Sequence, residues 1–187
     1  MPAKKIVSEK EVMAAALDII REQGENSLSV RELAKRLNCS TQPIYSIYDN
    51  MQAVEEAVRQ AAAAVLDEYM TNELKNGKYI ANKAIGMGYI RFAAEEKNLY
   101  RYLYMRMPQQ KSAINVDLTQ KSIGFIMQKN GLSEESAAMF FAEIWIFCHG
   151  IAGLIACDRL DFDEEKISEA TTDVSVGLTL RYKEKGK

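Results

Sequence analysis

The sequence of 187 residues has few of the residues that mark catalytic and metal sites. It contains one histidine, His149, and three cysteines without a C-x-x-C spacing, Cys39, Cys148 and Cys157. G-x-S-x-G, H-E-x-x-H and glycine-rich phosphate-loop patterns are missing. An odd cysteine count argues against a disulfide framework, and Cys148, Cys157 and His149 lack a fourth zinc ligand. We therefore expect no enzyme, no metal site and no cofactor.

Long apolar runs and an excess of one charge are also missing. The longest apolar stretch, 145–157, has about 13 residues, whereas spanning a bilayer takes roughly 20. The N-terminus lacks the apolar core of a secretion signal. The net charge of −2 confines any nucleic-acid contact to one local face. We expect a soluble, cytoplasmic protein that does not enter a membrane, in which this apolar stretch forms a buried helix.

Helix starts and stops are frequent along the chain. Ser8 with Glu11, and Ser29 with Glu32, have the spacing of a capping box, in which serine and glutamate side chains satisfy free amides reciprocally. No run of residues alternates with the period of a strand. The pattern predicts an all-α chain of about nine helices, with a helix-turn-helix DNA-binding domain at 1–50 and a ligand-binding and dimerisation domain at 51–187.

Two short helices near the N-terminus match a helix-turn-helix. The first opens at Ser29 and ends near Asn38, and the second begins at Ser40 or Thr41 and runs to about Tyr48. We expect an inner face that holds the helices together, formed by Leu33, Ala34, Leu37, Ile44, and Ile47 or Tyr48. The outer face then carries Ser40, Thr41, Gln42, Tyr45 and Ser46. The alternative is an ordinary helical corner whose polar side chains are only solvated.

The outward side chains suit contacts with DNA. In a helix-turn-helix, the first residues of the second helix meet base edges, and hydroxyls and helix-end amides meet phosphates. Gln42 can pair bidentately with adenine, and Thr41 can bond a base or touch a thymine methyl. Pro43 suits the first helical turn and leaves the neighbouring amides near phosphates. Arg31 and Lys35 are further candidates for backbone contact.

Residues 28–54, LSVRELAKRLNCSTQPIYSIYDNMQAV, resemble the N-terminal helix-turn-helix of the TetR family of bacterial transcriptional regulators. The resemblance lies in Ser29 opening the helix, the VRELAKRL pattern, and Tyr45 followed by Tyr48. A later W-x-x-x-H-G pattern, at 145–150, resembles one branch of the C-terminal domains of that family. The resemblance implies a dimer that binds a palindromic operator in double-stranded DNA, normally as a repressor, and that a small molecule releases through helix four.

The resemblance also implies roles for individual residues. Ser29 and Tyr45 align with phosphate-contacting positions, and Thr41, Gln42 and Ser46 with positions that face the groove. An effector pocket for an apolar or aromatic compound is expected at Tyr104, Met105, Trp145 and His149. For each of these four residues, core packing is the alternative, and a lone histidine on an apolar helix is often a hydrogen-bonded core residue.

The last two helices are expected to form the homodimer interface. The penultimate helix is apolar on nearly all sides and must be buried, either against a second copy or within one chain.

Two features depart from the family pattern. Met51 stands where many members have a lysine that contacts phosphate, and Asn38 stands where a glycine is usual in the turn. Residues 1–50 also carry seven basic and seven acidic side chains. A helical small-molecule binding or interaction protein with a degenerate head is therefore the alternative function. If Lys4 and Lys5 reach DNA, their replacement by alanine should lower affinity and flatten its salt dependence by about one unit per lost contact.

Overall fold

The computed structural model of the chain describes residues 7–105 and 116–185, and within them it contains nine α-helices and no β-strand. The all-α prediction is confirmed. The helices are α1 (Glu9–Gln23), α2 (Val30–Arg36), α3 (Gln42–Tyr45), α4 (Met51–Asn76), α5 (Ala81–Glu95), α6 (Lys97–Tyr104), α7 (Val116–Asn130), α8 (Glu134–Ala156) and α9 (Glu164–Lys185).

The helix starts follow the capping residues in the sequence. Ser8 Oγ accepts from the Glu11 amide at 3.3 Å, and the Glu11 carboxylate accepts from the Ser8 amide at 2.8 Å, a complete capping box. Ser29 likewise accepts from the Glu32 amide at 3.2 Å. The Glu32 carboxylate, however, accepts from the Gln23 side chain at 3.2 Å. In the second capping box the bond to the Ser29 side chain is therefore formed, whereas the Glu32 side chain bonds a competing donor at the end of α1.

The chain divides into two compact units. Unit 1 comprises the described residues 7–65 and 96–105, and unit 2 comprises 66–95 and 116–185. This division reflects packing alone, and the boundary between residues 50 and 51 stays a prediction.

Unit 1 is built on the apolar faces of α1, α2 and α3. Val12, Ile19, Leu33 and Ile44 are each fully buried. At the end of α1, the Arg21 guanidinium donates to Glu96 at 2.8–3.1 Å, and it thereby ties α1 to the start of α6. These contacts give α2 and α3 a fixed base.

Unit 2 is centred on α5, whose residues Ala84, Ile85, Met87, Gly88, Tyr89, Ile90, Phe92 and Ala93 are buried. At Gly88 the helix meets the C-terminal part of α4 backbone to backbone. A Cβ atom placed at Gly88 would lie 2.7 Å from Met70 Cα and 2.8 Å from Tyr69 O. A side chain at position 88 would therefore force α4 and α5 apart.

A polar brace joins α4, α5 and α9 in unit 2. The Glu164 carboxylate accepts from Lys78 Nζ at 2.6 Å, from Tyr79 Oη at 2.7 Å and from Arg91 Nη2 at 3.0 Å. Arg91 Nε also donates to the buried Glu73 at 2.7 Å. Hydrogen bonds from Lys78, Tyr79 and Arg91 lower the pKa of Glu164 to about 2. The Glu164 carboxylate is therefore ionised throughout the neutral range.

Helix α8 is buried on only one side within one chain. Among the described residues it is the one helix long and apolar enough to cross a membrane, yet only 22% of that window is buried. Phe140, Cys148 and Ile155 point inward, whereas Ile146 is 69% exposed. Within one chain, α5, α7 and α9 cover one side of α8 and leave the other open, so that burial of this side against a second copy stays a prediction.

Candidate nucleic-acid interface

The turn between α2 and α3 is fixed by local hydrogen bonds. Asn38 adopts a left-handed conformation with φ of 50°. The amide of Cys39 donates to Ala34 O at 3.0 Å and the amide of Asn38 to Lys35 O at 3.1 Å. This pairing is a Schellman motif, which satisfies carbonyls at the end of α2. Asparagine tolerates the left-handed region better than most residues, so the sequence directs the turn into α3 at this point.

Helix α3 is a single turn, Gln42–Tyr45, and is shorter than predicted from the sequence. Its anchor is Ile44, which is fully buried. Pro43 lies in the first turn, as predicted. The Ser46 hydroxyl donates to Gln42 O at 2.9 Å, and the amides of 47 and 48 both donate to Ile44 O at 3.0 Å. These bonds convert the expected second turn into an irregular end.

The side chains proposed to meet DNA lie at the surface of unit 1. The exposed ones are Ser29, Arg31, Ser40, Gln42, Tyr45 and Ser46, and the half-buried ones are Thr41 and Pro43. Thr41 precedes α3 without making a side-chain cap, so its hydroxyl is not used by the helix amides. Ser29 accepts one amide and keeps its own proton to donate. The structure brings these residues onto α3 and the start of α2, and their contact with DNA stays a prediction.

The two tyrosines of this region differ in environment. Tyr45 is 43% exposed, whereas Tyr48 is 8% exposed and its hydroxyl donates to Glu9 Oε1 at 3.3 Å. Burial, together with the negative charge of Glu9, raises the pKa of Tyr48 to about 12. Tyr48 therefore packs into unit 1, where it bonds Glu9 at the start of α1, and Tyr45 is the outward aromatic.

Most cations of this surface are already paired with carboxylates. Lys35 lies 3.8 Å from Glu32, and Arg36 bonds Glu22. Arg31 makes no ion pair within the described residues, which leaves its guanidinium available for a phosphate. Lys4 and Lys5 lie outside the described residues.

The start of α4 carries no cation. Met51 is half-buried there, and Asn50 Oδ1 caps the helix by accepting from the Ala53 amide at 2.9 Å.

The four residues predicted to bind an effector fall in different units. Tyr104 and Met105 belong to unit 1, where the Tyr104 ring packs 4.9 Å from Tyr100 and Met105 is 44% exposed. Trp145 and His149 belong to unit 2. We therefore describe the two pairs separately, and their role in ligand binding stays a prediction.

Trp145 and His149 form an aromatic cluster with Tyr89 in unit 2. The Tyr89 and Trp145 ring centroids are 4.5 Å apart, and the Trp145 and His149 rings stack at 5.8 Å. Burial lowers the pKa of His149, which keeps the ring neutral near pH 7. Its Nδ1 lies 2.7 Å from the Tyr89 hydroxyl, which we assign as the donor. The histidine is thus a hydrogen-bonded residue of a half-buried cluster.

The neighbouring Cys148 thiol is unreactive by the same physics. Burial raises its pKa to about 12, so the thiolate is absent at neutral pH. Among the described residues no group of three or more histidine, cysteine or acidic side chains could hold a metal ion.

Sequence reasoning missed a cleft of about 270 Å³ in unit 2. It is walled by residues of α5, α7, α8 and α9, including Asn82, Lys83, Lys129, Phe140 and Ile144. On α9 the hydroxyl residues Thr171, Ser175 and Thr179 line it. Their four-residue spacing places them on one helix face and was a readable signal.

Comparison with known proteins places this arrangement among known folds. No protein-family model matches the chain. An uncharacterised HTH-type transcriptional regulator of Bacillus subtilis (strain 168), YobS, is 20% identical over 175 residues, which cover 92% of each protein.

Solved structures show the same fold. A TetR-like transcriptional regulator from Rhodococcus sp. RHA1 superposes with a TM-score of 0.61 at 15% identity, over 95% of this chain and 96% of that one. TetR from Acinetobacter baumannii AYE gives 0.60 at 20% identity, over 95% and 94%. A variant of TetR from that organism, in complex with minocycline, gives 0.58 at 23%, over 92% and 93%.

Proposed function

The chain has the fold of the TetR family of bacterial transcriptional regulators, and from that premise we propose that it is a ligand-responsive transcriptional regulator. It binds a palindromic operator as a homodimer, acts as a repressor in the cytoplasm, and is released by a small apolar or aromatic effector. The observation that carries the proposal is α3, a single turn fixed by buried Ile44 that presents Gln42, Tyr45 and Ser46 outward.

The chemistry of α3 suits a duplex in two ways. Gln42 offers an amide that can donate and accept in the plane of an adenine edge, a pairing worth about 1–3 kcal/mol of discrimination. Thr41, Tyr45 and Ser29 offer hydroxyls for phosphate oxygens, which position the protein but do not read sequence. Arg31 adds a charge at the start of α2. The remaining cations of α2 are neutralised by Glu22 and Glu32, so we expect few phosphate contacts and a shallow salt dependence.

Dimerisation is supported by the open side of α8 and its neighbour α9. Met139, Ile146 and Leu154 are 52%, 69% and 46% exposed, and they recur at intervals of seven and eight residues along α8. Val176 and Leu180 on α9 are 53% and 60% exposed. Side chains at such spacing form one apolar stripe, and exposed apolar stripes of this length mark protein interfaces. A second copy supplies an identical stripe.

The test of DNA binding is selection of bound duplexes from a random pool, followed by anisotropy titration with the selected sequence and with DNA upstream of the gene. Gln42→Ala should weaken binding by roughly 5- to 150-fold, the equivalent of one lost base contact. The matched control is Gln120→Ala, an exposed glutamine on α7. Recovery of no preferred sequence would favour the alternative, a helical small-molecule binding protein whose head does not read DNA.

Sedimentation equilibrium tests the dimer. Ile146→Glu places a charge on the stripe and should yield monomers, whereas Val116→Glu, at a 71% exposed position on α7, should leave the dimer intact. Monomeric wild-type protein at micromolar concentration would contradict this part of the proposal.

A further inference from the structure

The cleft of unit 2 has the composition of a ligand site. Its volume of about 270 Å³ exceeds the roughly 150 Å³ of a protein cavity that holds benzene. Its lining is apolar at Phe140 and Ile144 of α8 and at Val176 and Leu180 of α9, and it also includes the hydroxyl residues of α9. The size and the apolar part of the lining fit one substituted aromatic ring.

One polar group of the cleft is unsatisfied. Oδ1 of Asn82 is buried and accepts no hydrogen bond from the described residues. A buried acceptor without a donor costs about 1–3 kcal/mol, and native structures rarely leave one without a reason. Asn82 lies on the wall shared by the cleft and a smaller cavity of about 30 Å³ next to Trp145. A ligand that carries a hydroxyl donor would satisfy this oxygen.

The charged groups of the cleft are all of one sign. Lys83 and Lys129 line it, and no carboxylate does so among the described residues. Lys83 Nζ donates to Thr172 Oγ1 at 2.7 Å, a neutral partner, and neither lysine makes an ion pair within the described residues. Burial and the nearby ammonium of Lys78 lower the pKa of Lys83. An anion is the partner that would stabilise both ammonium groups.

We propose that this cleft binds a small aromatic carboxylate that carries a hydroxyl group, with the ring on Phe140 and Ile144, the carboxylate at Lys83 and Lys129, and the hydroxyl at Asn82. Its role as the effector site rests on the proposed regulatory function, whereas its occupancy does not.

Three probes separate the contributions, each titrated by calorimetry into the full chain. 4-Hydroxyphenylacetate carries the anion and the donor, phenylacetate the anion alone, and 4-hydroxyphenylethanol the donor alone. 4-Hydroxyphenylacetate should bind tightest. Lys83→Gln and Lys129→Gln should each weaken both carboxylates by roughly tenfold and leave the alcohol unchanged. Lys121→Gln, an exposed lysine on the same helix as Lys129, is the matched control.

Asn82→Leu should preserve or raise the melting temperature and at the same time remove a preference between two probes. It removes the unsatisfied amide, so the unliganded protein should melt at the same or a higher temperature. The same change should abolish the advantage of 4-hydroxyphenylacetate over phenylacetate. A structural asparagine would instead lower the melting temperature and leave that ratio unaltered, which would overturn its assignment.

Three further results would overturn the proposal. They are no binding of either carboxylate at millimolar concentration, binding that is insensitive to both lysine variants, and binding only in the monomeric Ile146→Glu variant, which would mean that a second copy fills the cleft. Lys129→Gln keeps the test valid if Lys83→Gln fails to fold, because Lys129 is exposed. Probe binding without any selected DNA sequence would overturn the regulatory function and leave the cleft assignment standing.

Discussion

Units 1 and 2 use polar side chains in opposite ways. On α3 of unit 1, glutamine, tyrosine and serine side chains point outward from one buried isoleucine, on a surface without an enclosing wall. In unit 2, threonine, serine, asparagine and lysine line a cleft, while apolar side chains such as Ile146 and Leu154 lie outside. An outward polar surface suits a large hydrated partner, and an inward polar lining suits a small one that leaves water.

The contrast also concerns how each site is held. The α3 surface depends on one buried side chain and one left-handed residue, both within ten residues of each other. The cleft depends on four helices, of which α5 packs against α4 at Gly88 and α9 is joined to α5 by the brace at Glu164. Changes at these points should therefore damage one unit and spare the other.

The largest expected effect is that of Ile44→Ala. Removing the buried anchor of α3 leaves a cavity and should destabilise unit 1 by about 2–4 kcal/mol. DNA binding should disappear at a temperature at which 4-hydroxyphenylacetate still binds unit 2. Circular dichroism and the two binding assays, run on the same sample, measure this. Simultaneous loss of both activities would show that the units melt together and would remove the contrast.

Gly88→Ala should destabilise unit 2 and spare unit 1. The new methyl would meet Met70 Cα at 2.7 Å, an overlap that should cost about 1–3 kcal/mol. Gly124→Ala on α7, where a Cβ meets nothing within 4 Å, is the control and should stabilise the protein by up to about 1 kcal/mol. Urea denaturation measures both. Equal effects of the two variants would refute the close crossing of α4 and α5.

The Glu164 brace gives unit 2 an acid sensitivity. The pKa of Glu164 is about 2 in the folded protein, against an ordinary value of 4.5. The ionised carboxylate therefore stabilises the fold above pH 4.5. This contribution is lost as the pH falls from 4.5 towards 2. We expect Glu164→Gln to cost about 1–2 kcal/mol at pH 7, after allowance for solvent screening, and much less at pH 3. Glu165→Gln, at the exposed neighbour, should change stability little at either pH.

The smallest expected effect is at the turn before α3. Asn38→Ala keeps the turn but places at φ near 50° a residue without the short polar side chain that lets asparagine tolerate the left-handed region, at a cost of about 1 kcal/mol. Asn38→Gly should be neutral or stabilising. Thermal melts rank the three proteins, and a glycine variant less stable than the alanine variant would contradict the left-handed assignment.

Local signals in the sequence predicted the helices well. The capping residues Ser8 and Ser29, the terminator Asn38 and Pro43 act on neighbours within about four residues, so the sequence alone contains their partners. The outward set on α3 followed from the same short-range geometry once Ile44 was placed inward.

Features that depend on distant residues were not predictable. Glu32 bonds Gln23 from the preceding helix, which left the second capping box half closed. The spacing of Thr171, Ser175 and Thr179 marks a polar face of α9, but the cleft was missed because Asn82 lies on a helix far from them in sequence. The apolar composition of α8 predicted that it needs a partner, but composition does not show which face of a helix its neighbours cover.

The aromatic cluster of Trp145, Tyr89 and His149 gives the molecule a spectroscopic label of its own. The chain has a single tryptophan, so all tryptophan emission arises in unit 2, beside the smaller cavity that shares Asn82 with the cleft. Occupancy of the cleft, or protonation of the stacked imidazole, should change that emission, while events confined to α3 should leave it constant. Fluorescence can therefore follow the ligand side of the protein without any dye.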